Sequence, residues 1–102
     1  MIHVIATVEL AEGKREAFLE EFRKVVPLVR AEPGCLEYGA AVDVPTGIPV
    51  QGPPRENVVT IVEKWESVEA LRAHLQAPHM LAYRPKVKDF VVGVKLHVLE
   101  PA

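Results

Sequence analysis

Between Ile2 and Leu10 apolar and polar positions alternate and β-branched residues are frequent, which predicts a first strand. Ile2, Val4, Ala6 and Val8 fall on one face; His3, Ile5, Thr7 and Glu9 fall on the other. Gly13 breaks this run, and from Lys14 to Ala31 the period lengthens. Phe18, Phe22, Val25, Val26 and Val29 form a helical stripe, with Glu and Lys on the opposite side. Pro27 lies inside this helix and removes a backbone donor, so a kink or a loosened turn is expected there. Pro33-Gly34 ends the helix. Cys35 to Val44 reads as a second strand with Leu36, Tyr38, Ala40 and Val42 on one face. Pro45 to Glu56, PTGIPVQGPPRE, is long for a hairpin connection. Ile48 and Val50 within it are poorly placed in water, so we expect an arm that touches something.

The stretch from Asn57 to His79, NVVTIVEKWESVEALRAHLQAPH, reads as a strand, a one-residue break and a short amphipathic helix. Val59, Ile61, Glu63 and Trp65 share one strand face. Ser67 stands at the N-cap position, its oxygen able to accept from a free first-turn N–H. Val68, Leu71 and Leu75 follow at helical spacing with His74 beside them, and Pro78 closes the helix. Met80 to Phe90 is expected to hold a turn and a short helical segment interrupted at Pro85. Val91 to Leu99 is the fourth strand, with Val92, Val94, Leu96 and Val98 on one side, and Pro101-Ala102 is a tail.

The order β-α-β-β-α-β, with a small helical insertion before the last strand, predicts an α+β ferredoxin-like sandwich in one domain spanning residues 1–102. Two helices then cover one face of a four-stranded antiparallel sheet. The apolar set under them is expected to be Ile2, Val4, Val8, Leu36, Val42, Val59, Ile61, Val92, Val94 and Leu96. The opposite set (His3, Ile5, Thr7, Ala41, Val58, Thr60, Val62, Val91, Leu99) is too apolar to be left in water, so a homodimer packed sheet to sheet is predicted, with higher assembly left open.

Composition narrows function by exclusion. Apolar residues make up 49% and charged residues 25% of the chain, and the net charge is −2. With no basic cluster interleaved with aromatics, nucleic acid is not an expected partner. No apolar run approaches the ~18 residues of a membrane span. The start, MIHVIATVELAEGK, has no signal-peptide pattern, and the single Cys35 cannot form an intrachain disulfide. The expectation is a cytoplasmic protein. His3, His74, His79 and His97 lack any recognised metal-ligand spacing; His3 and His97 share the non-helix face and are expected at the dimer interface.

EPGCLEY (Glu32 to Tyr38) and VEKWESVEALRAHLQAPHM (Val62 to Met80) resemble the antibiotic-biosynthesis-monooxygenase superfamily, whose members pair into a dimeric α+β barrel. The Pro27 helix, the long loop after Asp43, LQAPHM-AY and the closing L-x-P look most like its bacterial quinol monooxygenases. The resemblance implies oxidation of a small quinol-like aromatic substrate by O₂, with no flavin, metal or haem as cofactor. A deprotonated quinol is itself a good one-electron donor, so the site needs an acid/base group, an apolar enclosure and little water. His74 is the candidate base, since an ordinary imidazole titrates near pH ~6.5. Glu63, if buried, has a raised pKa and can share a proton with His74; Tyr38 can orient an oxygen. Trp65 and Ile61 are candidate substrate walls, and His79, Tyr83 and Arg84 stand near the expected mouth. Ile61 occupies the position where the anthrone-oxidising branch has an Asn, and the first strand has no Asn, which weighs against haem degradation. Each residue also has a plainer explanation: His74 and Trp65 as core side chains, Glu63 as the partner of a cation, Glu32 as a solvated helix-end residue and Cys35 as a packed thiol. Two other functions share the pattern. One is isomerisation of a small carbonyl compound at the same acid/base seam; the other is a non-catalytic dimeric binding or stress-response module.

Overall fold

A computed structural model describes residues Met1–Ala102. Strand β1 (Ile2–Leu10) is followed by helix α1 (Arg15–Arg30), strands β2 (Cys35–Ala41) and β3 (Val58–Trp65), helices α2 (Val68–Leu75) and α3 (Pro78–Val87), and strand β4 (Val91–Leu99). All neighbouring strands are antiparallel, in the order β2-β3-β1-β4. This is the expected βαββαβ arrangement with an added helix. No helix is long and apolar enough to cross a membrane.

The alternation in β1 and β3 does what the period-two rule requires. Ile2, Val4, Ala6, Val8 and Leu10 are buried, as are Val59, Ile61, Glu63 and Trp65 on the neighbouring strand. Phe18, Phe22, Val25 and Val29 bring α1 down on that face. The helix persists through Pro27 to Arg30. Two predicted core positions on β2 fail, each for its own reason. The β2–β3 register shifts between Cys35 and Glu37, so Leu36 drops out of phase and is exposed; β2 ends at Ala41, which leaves Val42 outside the sheet and exposed as well.

The fourth strand differs most from expectation. A second irregularity, opposite Glu9 and Leu10, puts Val91 across from Leu10 on the helix side, where it packs against the core. Val92 is the extra residue of that bulge and is exposed. Val94, Leu96 and Val98 do face the helix side, opposite Val8, Ala6 and Val4, but the helices stop short of this edge and all three stay about half-exposed. His3 and His97 share the other face, as expected, through the register that sets Leu99 against His3 and His97 against Ile5.

The segment from Met80 also differs. It is one helix that begins at Pro78 and runs unbroken past Pro85 to Val87. Proline is favourable at a first helical position because its missing N–H is not needed there. The 45–56 connection is tied to itself: Arg55 clamps Asp43 with bonds of 2.8 and 3.0 Å, and Gln51 donates to the Val44 carbonyl. The Arg55 guanidinium holds the Asp43 carboxyl down to about 2. Ile48 and Val50 project into solvent.

Candidate active site

The Ser67 hydroxyl accepts from the Ala70 N–H at 3.1 Å, the N-cap expected of it, and this fixes where α2 begins. Leu71 and His74, three residues apart, then form its buried face, while Val68 and Leu75 stay exposed. His74 comes to rest on Trp65, ring centroids 4.7 Å apart, and meets Tyr38 edge-on at 5.4 Å. The Trp65 Nε1–H donates to Glu63 Oε1 at 2.8 Å. Burial raises the Glu63 pKa above the ordinary carboxylate value; the Trp65 bond and the nearby His74 oppose that rise without cancelling it. Tyr38, set opposite Glu63 on β2, is pushed far upward by burial, so its hydroxyl stays protonated and acts as a donor, never as a base.

The partner of His74 is not Glu63. Its Nδ1 lies 2.9 Å from Glu32 Oε2, and His79 Nε2 lies 2.7 Å from the same oxygen. Glu32 is therefore no solvated helix-end residue: its side chain is 11% exposed and joins three elements. The Pro33-Gly34 turn makes this reach feasible. Gly34 has φ +84°, its carbonyl accepts from the Glu66 N–H at 2.9 Å, and a Cβ there would sit 2.7 Å from the Ala70 Cβ. Only a glycine lets α2 close so tightly over the turn that carries Glu32. Nothing in the periodicity marked Glu32; the signal was the EPG tripeptide, a forced turn directly under the helix that bears His74. The thiol of Cys35 is raised by burial and by the charges of Glu32 and Glu63, which makes it a poor nucleophile.

A slot lined by the indole and the imidazole, as expected from sequence, is absent. Trp65 is fully buried and His74 is 2% exposed, and the two fill the seam with each other. The cavity lies beside it. A cleft of about 690 Å³ opens between α3 and the β1–β4 side of the sheet, lined by Ile61, Phe18, Tyr83, Arg84, Val87 and Val94 among others, nine of its twelve residues hydrophobic. Of the residues expected as walls or at the mouth, Ile61, Tyr83 and Arg84 line this one cleft, whereas Trp65 and His79 do not. His79 lines a separate dent of about 140 Å³ with Glu21, Lys24 and Lys86, and Tyr83 forms the wall between dent and cleft. Arg84 donates to the Leu75 carbonyl at 2.7 Å, meeting one of the unpaired carbonyls at the end of α2. Phe22 links the halves of the site, stacked on Tyr38 at 5.4 Å and edge-on to Tyr83 at 6.3 Å. No buried side-chain nitrogen or oxygen lacks a partner. Within the protein His74 hydrogen-bonds through Nδ1, which leaves Nε2 for a ligand or water.

A family model described as antibiotic biosynthesis monooxygenase matches residues 1–86. The chain is 40% identical to the "Probable quinol monooxygenase YgiN" of Escherichia coli (strain K12) over 103 residues, covering 99% of this chain and 98% of that one. Among solved structures, PA3566 from Pseudomonas aeruginosa superimposes with a TM-score of 0.81 at 28% identity, covering 99% of this chain and 93% of that chain. Rv0793 from Mycobacterium tuberculosis gives a TM-score of 0.81 at 25% identity, covering 99% and 94%.

Proposed function

The chain belongs to the antibiotic biosynthesis monooxygenase family, and on that premise we propose that it oxidises a quinol-like aromatic diol with O₂. One observation carries the reading. A largely apolar cleft of about 690 Å³, within the ~300–1,000 Å³ that ligand pockets span, lies on the same sheet face as a buried acid/base cluster. Ile61, Phe18 and Tyr83 enclose the flat ring and Arg84 stands at its edge. His74 takes the phenolic proton through Nε2. The quinolate so formed gives electrons to O₂ directly, which is why the reading calls for no prosthetic group. One oxygen atom enters the ring, the other leaves as water with the two diol hydrogens, and the product is a hydroxyquinone. Tyr38, a neutral donor, orients an oxygen of the substrate or of O₂. Glu63 and Trp65 back the imidazole from beneath and touch no ligand.

A second copy of the chain belongs to this proposal. Val94 is at once a wall of the cleft and one of the half-exposed β4 residues. In place of the sheet-to-sheet contact through the His3 and Ile5 face expected from sequence, a partner packed over Val94, Leu96 and Val98 buries that edge and keeps water from the cleft, which strengthens every electrostatic interaction inside. The test is O₂ uptake by the protein with a reduced naphthoquinone. Uptake above the buffer rate is expected, with kcat falling ~10²–10⁴-fold in His74→Ala, the usual range for a lost general base. A loss under about threefold removes His74 from that role. Substrate turnover that persists without oxygen replaces oxidation by isomerisation.

A further inference from the structure

One carboxylate oxygen serving two imidazoles is an uncommon economy, and here it is built firmly. The backbone of Glu32 is held on both sides, its N–H donating to the Val29 carbonyl at 2.9 Å and its own carbonyl accepting from the Cys35 N–H at 3.2 Å. Oε2 then meets His74 from α2 at 2.9 Å and His79 from α3 at 2.7 Å. A bare carboxylate oxygen can only accept, so both ring nitrogens carry the hydrogen. Neutral His74 is thereby fixed with its proton on Nδ1 and its lone pair on Nε2, the atom left without a protein partner. We infer that Glu32 is the positioning residue of the acid–base site, holding His74 as a base aimed by Nε2, and that His79 tempers it from the solvent side. The inference deepens the reading of His74 given above and rests on it only for the catalytic consequence.

Charged and polar groups from several elements surround the pair. Facing His74 are Glu32 from the turn after α1, Glu63 from β3, the neutral Tyr38 hydroxyl and, beyond Glu32, the Cys35 thiol of β2. Facing His79, which is 21% exposed, are the same Glu32, with Glu21 and Lys24 of α1 and Lys86 of α3 around the dent. Removing the carboxylate takes away the acceptor that fixes the His74 tautomer, whereas removing the second donor leaves that acceptor in place.

Ring ¹⁵N NMR with all four histidines assigned tests this without needing turnover. In the native protein above the imidazole range, His74 is expected as the Nδ1–H tautomer. In Glu32→Gln, whose side-chain amide can donate as well as accept, the Nδ1–H preference should weaken to a mixture of tautomers, and in His79→Ala it should persist. Turnover at neutral pH should fall about 10–100-fold in Glu32→Gln and by less in His79→Ala. A native Nε2–H tautomer, or an Nδ1–H preference unchanged in Glu32→Gln, overturns the inference. The expected tautomer and its loss in Glu32→Gln, in a protein that consumes no oxygen, uphold the positioning and reject the oxidase reading instead.

Discussion

Replacing Gly34 by alanine probes the joint on which the site is hung. The residue sits at φ +84°, where an L-side chain costs roughly 1–2 kcal/mol. The new Cβ would also lie 2.7 Å from the Ala70 Cβ, which is about 1 Å inside ordinary carbon–carbon contact. Neither carbon is the end of a flexible chain, so α2 itself must move, an overpacking cost of about 1–3 kcal/mol. Loss of glycine's freedom in the unfolded chain returns roughly 0.4–1 kcal/mol. The net loss is about 1–4.5 kcal/mol, against a total stability of ~5–15 kcal/mol for a domain of this kind. With ~4–8 °C per kcal/mol at this size, thermal unfolding followed by circular dichroism should show Tm lower by at least about 4 °C. Gly13 supplies the control, since it has φ +75° but nothing within 4 Å of its would-be Cβ. Gly13→Ala carries the backbone cost alone. Equal Tm losses in the two variants would refute the close approach of α2 to the Pro33-Gly34 turn, and with it the explanation of how Glu32 reaches His74.

Other outcomes follow from the same packing. Burial raises the Glu63 pKa, so the folded chain holds that proton more tightly than the unfolded chain does. Its contribution is favourable at low pH and is withdrawn as pH rises through the raised value. Glu63→Gln should therefore gain Tm over the native protein by more at pH 8 than at pH 4; a gain that is constant or larger at pH 4 contradicts the assignment. Trp65→Phe removes the donor to a buried carboxyl and leaves space in a filled seam, and should cost roughly 2–4 kcal/mol in urea unfolding; a cost below about 0.5 kcal/mol would show that the Glu63 bond is unimportant. Leu96→Glu places a charge on the uncovered β4 edge and should convert the proposed dimer to a folded monomer in light scattering, with an unchanged mass arguing against that edge as the contact.

The parts legible in the sequence were those set by local rules. The two-residue period of β3 placed Glu63 and Trp65 inward, and Ser67 announced the start of α2. The errors arose where a single residue changes phase or where geometry is non-local. One inserted residue in each of β2 and β4 turned Leu36 and Val92 outward, and no apolar pattern reveals a bulge in advance. The exposure of Val94 and Leu96 reflects how far the helices reach across the sheet, which depends on helix placement and not on the strand's own residues. Pro78 and Pro85 both read as breaks, yet one opens α3 and the other is carried within it. Glu32 was hidden because its two partners lie 42 and 47 residues away, on separate helices.

The account stands on where the aromatic ring sits. A crystal structure of the protein with a bound naphthoquinone tests this most directly. The ring is predicted between Ile61 and Tyr83 with Arg84 at its edge, one of its oxygens turned toward the seam that holds His74. A quinone found instead in the groove of about 600 Å³ between α1 and β2, among Arg15, Arg23 and Arg30, contradicts the proposal outright.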